Sequence, residues 1–161
     1  MPRTPRRVLH VDDNAGDRLL VSMALAALEV GCVVESAEGG AAALDLLGLG
    51  RRGREAPPPE LIIVDINMPG MDGFEFVDRL AGHPHLAEAS ILFLSTSRSP
   101  FDAVRAVSLG NSLFAVKPLC FEHLCDTIGL ALKGLAGEVE LPSAASMSTM
   151  SDADEVAVYR D

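Results

Sequence analysis

The 161-residue chain has no tryptophan, one tyrosine and only three cysteines. Cys32, Cys120 and Cys125 cannot all pair within one chain and their spacing matches no zinc-binding pattern, so we expect reduced, buried thiols. No apolar run approaches the roughly 20 residues that span a bilayer. The apolar stretch at residues 8–11, behind the basic start, is too short for a signal peptide. These absences predict a soluble cytoplasmic protein that does not contact a membrane.

Basic residues are also scarce. The chain has 13 basic residues against 23 acidic ones, a formal charge of -10, and Lys117 and Lys133 are its only lysines. Proteins that bind nucleic acids neutralise phosphates with clustered lysine and arginine, so no direct nucleic-acid partner is expected. Residues 138–161 carry six acidic residues against Arg160. They show no helical or strand period, which predicts an acidic, flexible tail after a domain spanning residues 1–137.

Short apolar runs alternate with helical stretches along the domain, a pattern typical of an α/β protein. Most of the runs are continuously apolar, as expected for parallel strands covered by helices on both faces. This pattern predicts a doubly wound, five-stranded parallel sheet. The predicted strands are residues 8–11, 32–34, 61–64, 91–94 and 113–116, and the later predicted helices are residues 40–47, 73–81, 100–109 and 121–135.

The first helix is predicted from apolar residues at helical spacing after a polar start. The polar start comprises Asp12, Asp13, Asn14 and Asp17, residue types that favour a helix N-terminus. The apolar residues are Leu19, Leu20, Met23, Ala27 and Leu28. His10 interrupts the preceding strand, and we expect it to be hydrogen-bonded in the core.

Polar residues follow four of the five predicted strands, where ligands bind in an open parallel sheet. They are Asp12 and Asp13, then Asp65, Ser95 and Lys117. Three carboxylates packed together repel one another unless a cation lies among them, and their oxygen ligands suit Mg²⁺. Asp65 is the natural nucleophile towards phosphorus, with Lys117 and the metal neutralising charge and Ser95 donating a hydrogen bond to the phosphoryl group. The sequence therefore predicts phosphoryl transfer to a carboxylate.

These residues and their order resemble the CheY-like receiver domain of two-component response regulators. The similarity runs from about residue 8 to residue 135 and includes the acidic pair, the segment DINMPGMDG that begins at Asp65, and the dipeptide Lys117-Pro118. The resemblance implies a flavodoxin-like fold with strand order 2-1-3-4-5. It also implies a phosphoacceptor that receives its phosphoryl group from a sensor histidine kinase.

The resemblance further assigns a role to each residue. Asp65 is the phosphoacceptor and, with Asp13, a direct Mg²⁺ ligand; Asp12 binds the metal through water. The backbone carbonyl of Asn67 completes the protein ligands. Lys117 pairs with the phosphoryl oxygens, Ser95 is the switch hydroxyl and Phe114 is the aromatic switch. Pro118 is expected to follow a cis peptide bond.

Two positions depart from the common family pattern. Thr96 stands after Ser95 where a small residue is usual, and a bulkier side chain should restrict the access of water to an acyl phosphate. We therefore expect slow self-dephosphorylation. Phe114 lacks a tyrosine hydroxyl, so its rotation is not latched by that hydrogen bond.

The segments VDDNAGD and SLGNSLFAVKP are most similar to single-domain regulators paired with phytochrome-type sensor histidine kinases. That subgroup commonly forms homodimers through the helix 4 to helix 5 face, including an arm-like arrangement. The similarity implies the same partner and dimer here, and a regulator whose own chain carries no output domain.

Two other functions are compatible with parts of this pattern. A phosphatase of the haloacid dehalogenase type also uses an aspartyl nucleophile, Mg²⁺, a hydroxyl and a lysine. Its nucleophile comes first in the chain, however, whereas Asp12 and Asp13 precede Asp65 here, and Asn67 replaces its usual second aspartate. The other alternative is a receiver-like interaction module that works without phosphorylation. We expect a signalling module that promotes its own phosphorylation without being an enzyme in the turnover sense.

Overall fold

A computed structural model describes residues 7–49, 57–147 and 156–161. Its single sheet has the strand order β2-β1-β3-β4-β5-β6. The first five strands are parallel, and this confirms the predicted doubly wound α/β fold and its order 2-1-3-4-5. The strands are β1 (Arg7–Val11), β2 (Val33–Ala37), β3 (Leu61–Val64), β4 (Ser90–Ser95), β5 (Ser112–Val116) and β6 (Val158–Tyr159).

Among the described residues, five α-helices connect the strands: α1 (Ala15–Ala27), α2 (Gly40–Leu46), α3 (Gly73–Leu80), α4 (Pro100–Val107) and α5 (Phe121–Leu135). Two begin with side-chain caps, since Asn14 accepts the N–H of Asp17 and Asp72 accepts that of Glu75. Such caps satisfy backbone donors that have no partner within the helix. None of the described helices is both long enough and apolar enough to cross a membrane.

The sheet separates two apolar layers. One layer contains buried residues of α1 and α5, and the other contains buried residues of α2, α3 and α4. All four residues of β3 are buried, as expected for the centre of a parallel sheet, whereas β2 at the edge has only its last residue buried. This sandwich holds the carboxyl ends of the parallel strands on one rim.

The apolar residues that predict α1 do not form the buried face of that helix. Leu19, Leu20 and Met23 are exposed, while Val21, Ala24 and Leu25 are buried. Both sets recur three and four residues apart, because α1 is apolar on nearly every side. Periodicity therefore predicts the helix without selecting the face that packs on the sheet.

The expectation of a flexible tail is wrong for the part of it that the structure describes. A 3₁₀ turn (Ala144–Ser146) follows α5, and β6 pairs antiparallel with β5. The buried residues of this segment are Leu141, Ala144, Met147, Val158 and Tyr159. They join both apolar layers, so the segment wraps around the edge of β5. The sheet has six strands instead of five because β6 covers an edge that would otherwise expose unpaired backbone groups. Residues 148–155 of the predicted tail lie outside the described residues.

Three local expectations also need correction. Cys120 is exposed and the other two cysteines are partly exposed, so none is a buried thiol. The peptide bond between Lys117 and Pro118 is trans, since no described peptide bond is cis, and trans is the lower-energy isomer before most prolines. The Nδ1 atom of His10 is buried without a hydrogen-bond partner.

Candidate functional site

The sheet brings the predicted site residues to one rim through backbone hydrogen bonds that continue past the strand ends. Asp12 N–H donates to Ala37 O at 3.1 Å, Asp65 N–H to Val11 O at 3.0 Å, and Lys117 N–H to Ser95 O at 2.8 Å. These bonds fix the main chain at the residue after each strand. The side chains of Asp12, Asp65 and Lys117 therefore leave the sheet from neighbouring, fixed positions.

Lys117 joins the acidic side chains of this rim. Its Nζ atom lies 2.7 Å from Asp12 Oδ2, 2.8 Å from Asp17 Oδ2 and 3.0 Å from Asp65 Oδ2. Burial alone would lower the pKa of Lys117, but its hydrogen bonds to Asp12 and Asp17 and the charge of Asp65 outweigh burial and raise it. The lysine is therefore a fixed positive charge beside the Asp65 carboxylate.

The acidic cluster consists of Asp12, Asp13 and Asp65, and one carboxylate oxygen from each lies within 4.8 Å of the others. Asp12 and Asp65 are buried, whereas Asp13 is exposed and gives access from solvent. Three carboxylates lie close together here, and Lys117 contacts two of them, Asp12 and Asp65. The all-oxygen donors of the cluster, two of them held by the sheet, fit a hard divalent cation such as Mg²⁺.

The turn after Asp65 is also ordered around this carboxylate. Asn67 N–H donates to Asp65 Oδ1 at 3.3 Å, so Asn67 lies beside the cluster. Gly73, at the start of α3, donates its N–H to Ile66 O at 2.9 Å and closes the turn back on the strand end. The metal-ligand role of the Asn67 carbonyl stays a prediction.

The two predicted switch residues lie on the β4–β5 side of the site. Ser95 is fully buried, and its Oγ accepts the N–H of Ser97 at 3.3 Å. Phe114 is also fully buried, and it pairs in register with Phe93 on one side and with Tyr159 of β6 on the other. The residue predicted as the aromatic switch therefore lies on a strand between β4 and the terminal strand β6.

His10 lies in β1, next to the site and two residues before Asp12. Its Nε2 atom lies 3.8 Å from Asp12 Oδ2, beyond hydrogen-bond distance. Burial lowers the pKa of His10 to about 4, and the positive charge of Lys117 adds to this effect. His10 is therefore neutral at physiological pH, and its buried position excludes it as an exposed phosphodonor.

The functional assignment from sequence misses Asp17. This residue appears there only as part of the polar start of α1, because an acidic residue in the first helical turn already has an ordinary explanation. In the structure its carboxylate contacts Lys117, which is 100 positions away. One signal was present in the sequence: Asp17 lies about one helical turn beyond Asp13, so it can face the same rim.

Comparison with known proteins agrees with this geometry. The family model described as "Response regulator receiver domain" matches residues 8–129. Two-component response regulator ARR17 of Arabidopsis thaliana is 37% identical over 117 residues, covering 70% of this chain and 75% of that protein.

Two solved structures extend the similarity beyond the matched residues. The phosphorylated cyanobacterial phytochrome response regulator RcpA is 27% identical, with a TM-score of 0.72, covering 86% of this chain and 99% of its own. The Mn²⁺-bound form of response regulator Rcp1 is 25% identical, with a TM-score of 0.71, covering 86% of this chain and all of its own. The chain belongs to the response regulator receiver domain family.

Proposed function

We propose that the chain is a single-domain response regulator that accepts a phosphoryl group on Asp65 from a sensor histidine kinase. The observation that carries the proposal is the contact of Lys117 Nζ with Asp65 Oδ2 at 3.0 Å, inside a cluster of carboxylates suited to a divalent cation. A nucleophilic carboxylate beside fixed positive charge is the arrangement that phosphoryl transfer requires.

In the proposed transfer, an oxygen of the Asp65 carboxylate attacks the phosphorus atom of the kinase phosphohistidine. A P–O bond forms, the P–N bond breaks, and the imidazole leaves with its electron pair and takes up a proton. Lys117 neutralises the negative charge of the phosphoryl oxygens. Asp13, Asp65 and the Asn67 carbonyl would hold Mg²⁺, with Asp12 acting through water, and the ion would supply further positive charge at these oxygens.

The proposed switch transmits this charge to the surface. Phosphorylation adds about -1.5 to -2 of charge and strong hydrogen-bond acceptors. The Ser95 hydroxyl turns towards the phosphoryl group, and the side chain of Phe114 rotates into the space that it leaves. Since Phe114 pairs with Tyr159, this rotation also changes the packing between β5 and β6. The result is a two-state change of the surface formed by α4, β5 and α5.

The proposed kinase partner is of the phytochrome type, acting in the cytoplasm. Support comes from the similarity to RcpA, which is described as a phytochrome response regulator. We also propose a homodimer through the face between α4 and α5. Phe101 and Val104 of α4 and the following Leu109 are exposed, with Phe101 87% exposed, so α4 presents apolar surface although β6 covers the edge of β5.

Phosphotransfer from purified, radiolabelled histidine kinases tests this function. Label should pass rapidly to the parent chain from a phytochrome-type kinase and should not pass to Asp65→Asn. Asp72→Asn is the matched control, because it removes a carboxylate from the same loop while asparagine retains the cap of α3. Equal labelling of Asp65→Asn and the parent would refute the site. Magnesium beryllofluoride that fails to bind the parent would favour the phosphorylation-independent module.

A further inference from the structure

Lys117 uses all of its hydrogen-bonding capacity in the described structure. An ammonium group has three N–H donors. The three acceptors are Asp12, Asp17 and Asp65, at 2.7, 2.8 and 3.0 Å from Nζ. The lysine side chain is only 12% exposed, so water contributes little to holding its charge.

Two of these three acceptors have a second role in the proposed function. Asp12 belongs to the acidic cluster, and Asp65 becomes an acyl phosphate. Asp17 differs from both, since it is not part of the acidic cluster and comes from α1 instead of a strand end. Its contact with Lys117 therefore involves neither a residue of the acidic cluster nor the proposed phosphoacceptor.

The position of Asp17 is itself fixed by its helix. Its backbone N–H donates to Asn14 Oδ1 at 2.9 Å, and this cap holds the first turn of α1. The Arg18 side chain donates to Asp12 O at 2.7 Å and ties the same turn to the end of β1. The Asp17 carboxylate, 33% exposed, is thus presented to Lys117 from a fixed backbone.

We propose that Asp17 is a positioning residue for Lys117: it retains the ammonium group at the rim while Asp12 and Asp65 turn to the metal and the phosphoryl group. The inference rests on the proposed function for its consequence, although the contact itself is independent of phosphorylation. Without Asp17, a flexible four-carbon side chain loses its one permanent partner.

The exchange of the Lys117 Nζ protons with water, measured by ¹⁵N nuclear magnetic resonance, tests the contact directly. The chain has only one other lysine, Lys133, which is exposed and serves as an internal reference for fast exchange. The comparison uses the full chain without metal, as the parent and as Asp17→Ala, Asp17→Glu and Glu88→Ala. Glu88 is exposed and lies before β4, at the opposite end of the sheet from the rim, so Glu88→Ala controls for the loss of one carboxylate.

Asp17→Ala should speed exchange at Lys117 about tenfold, the effect of losing a charge-assisted hydrogen bond of about 1.4 kcal/mol. Asp17→Glu should restore it to within about threefold of the parent, and Glu88→Ala should leave it unchanged. An unchanged rate in Asp17→Ala would overturn the proposal. So would an equal rise in Asp17→Ala and Asp17→Glu, because the carboxylate would then have no specific role.

Binding of magnesium beryllofluoride tests the consequence for the phosphorylated state. Asp17→Ala should bind about tenfold more weakly than the parent, and Asp17→Glu should recover most of the loss. Equal affinity of Asp17→Ala and the parent would overturn the positioning role even if the contact exists. A parent chain that does not bind beryllofluoride would instead refute the proposed function, and the exchange rates would still decide whether Asp17 holds Lys117.

Discussion

Gly73 lies against the main chain of Asp65, and Gly73→Ala should destabilise the fold. A Cβ atom at this position would lie 2.2 Å from Asp65 O and 3.0 Å from Ile66 Cα. Both are backbone atoms, so neither can move aside as the end of a side chain can. In a helix interior alanine is favoured over glycine by about 1 kcal/mol, and at most this amount applies to Gly73 at the first position of α3. Overpacking costs about 1 to 3 kcal/mol, and rigid neighbours place this site at the upper end. We expect a net loss of about 2 kcal/mol in the free energy of unfolding.

Gly129→Ala is the matched control within the same chain. Gly129 lies inside α5, where a Cβ atom would be 3.5 Å from Leu28 Cδ2, an ordinary contact. The same substitution has a similar effect on the unfolded chain at both positions. Gly129→Ala should therefore gain about 1 kcal/mol from helix propensity alone.

Urea unfolding followed by far-ultraviolet circular dichroism measures both variants. The two should differ by about 3 kcal/mol, which corresponds to about 6 to 12 °C in melting temperature for a chain of this size. Because Gly73 touches Asp65, the destabilised variant should also lose phosphorylation. Two variants of equal stability would refute the argument that backbone contact at the site requires glycine.

Three further predictions concern the core, the terminal segment and the rim. The pKa of His10 is lowered from 6.5 to about 4 by burial, so the unfolded chain binds a proton that the folded chain excludes. The free energy of unfolding should therefore fall by about 3 kcal/mol as the pH drops from 6.5 to about 4. Urea unfolding of His10→Leu and the parent at several pH values tests this, and an equal dependence of stability on pH in the two chains would contradict it. Met147 is only 6% exposed, so Met147→Ala should cost about 2 to 3 kcal/mol; a loss below about 0.5 kcal/mol would mean that the terminal segment does not pack in solution. Thr96 is exposed beside the buried Ser95, and Thr96→Ala should speed loss of phosphate about fivefold, or about 1 kcal/mol of barrier, in a phosphate-release assay; a variant no faster than the parent would argue against shielding by Thr96.

The sequence predicts which residues meet at the rim because their placement depends on local features of the chain. Each apolar run predicts a strand, and the first polar residue after it marks the strand end. In a parallel sheet these ends share one rim, so Asp12, Asp65 and Lys117 can be placed together without knowledge of packing. The distances to Lys117 Nζ agree with that inference.

The features that sequence does not predict depend on long-range packing. Val158 and Tyr159 form a strand only because β5 offers them an unpaired edge, and a two-residue strand has no period of its own. The buried face of α1 depends on which side meets the sheet, since apolar residues such as Leu19 occupy the other sides as well. The contact of Asp17 with Lys117 joins two elements far apart in the chain.

The most direct test of the central claim is the intact mass of the chain after incubation with Mg²⁺ and a small acyl phosphate such as acetyl phosphate, which needs no kinase. The account predicts that the parent and Asp72→Asn gain the mass of one phosphoryl group and that Asp65→Asn gains none. A gain of one phosphoryl group that persists in Asp65→Asn, or its absence from the parent with Mg²⁺ present, would contradict it.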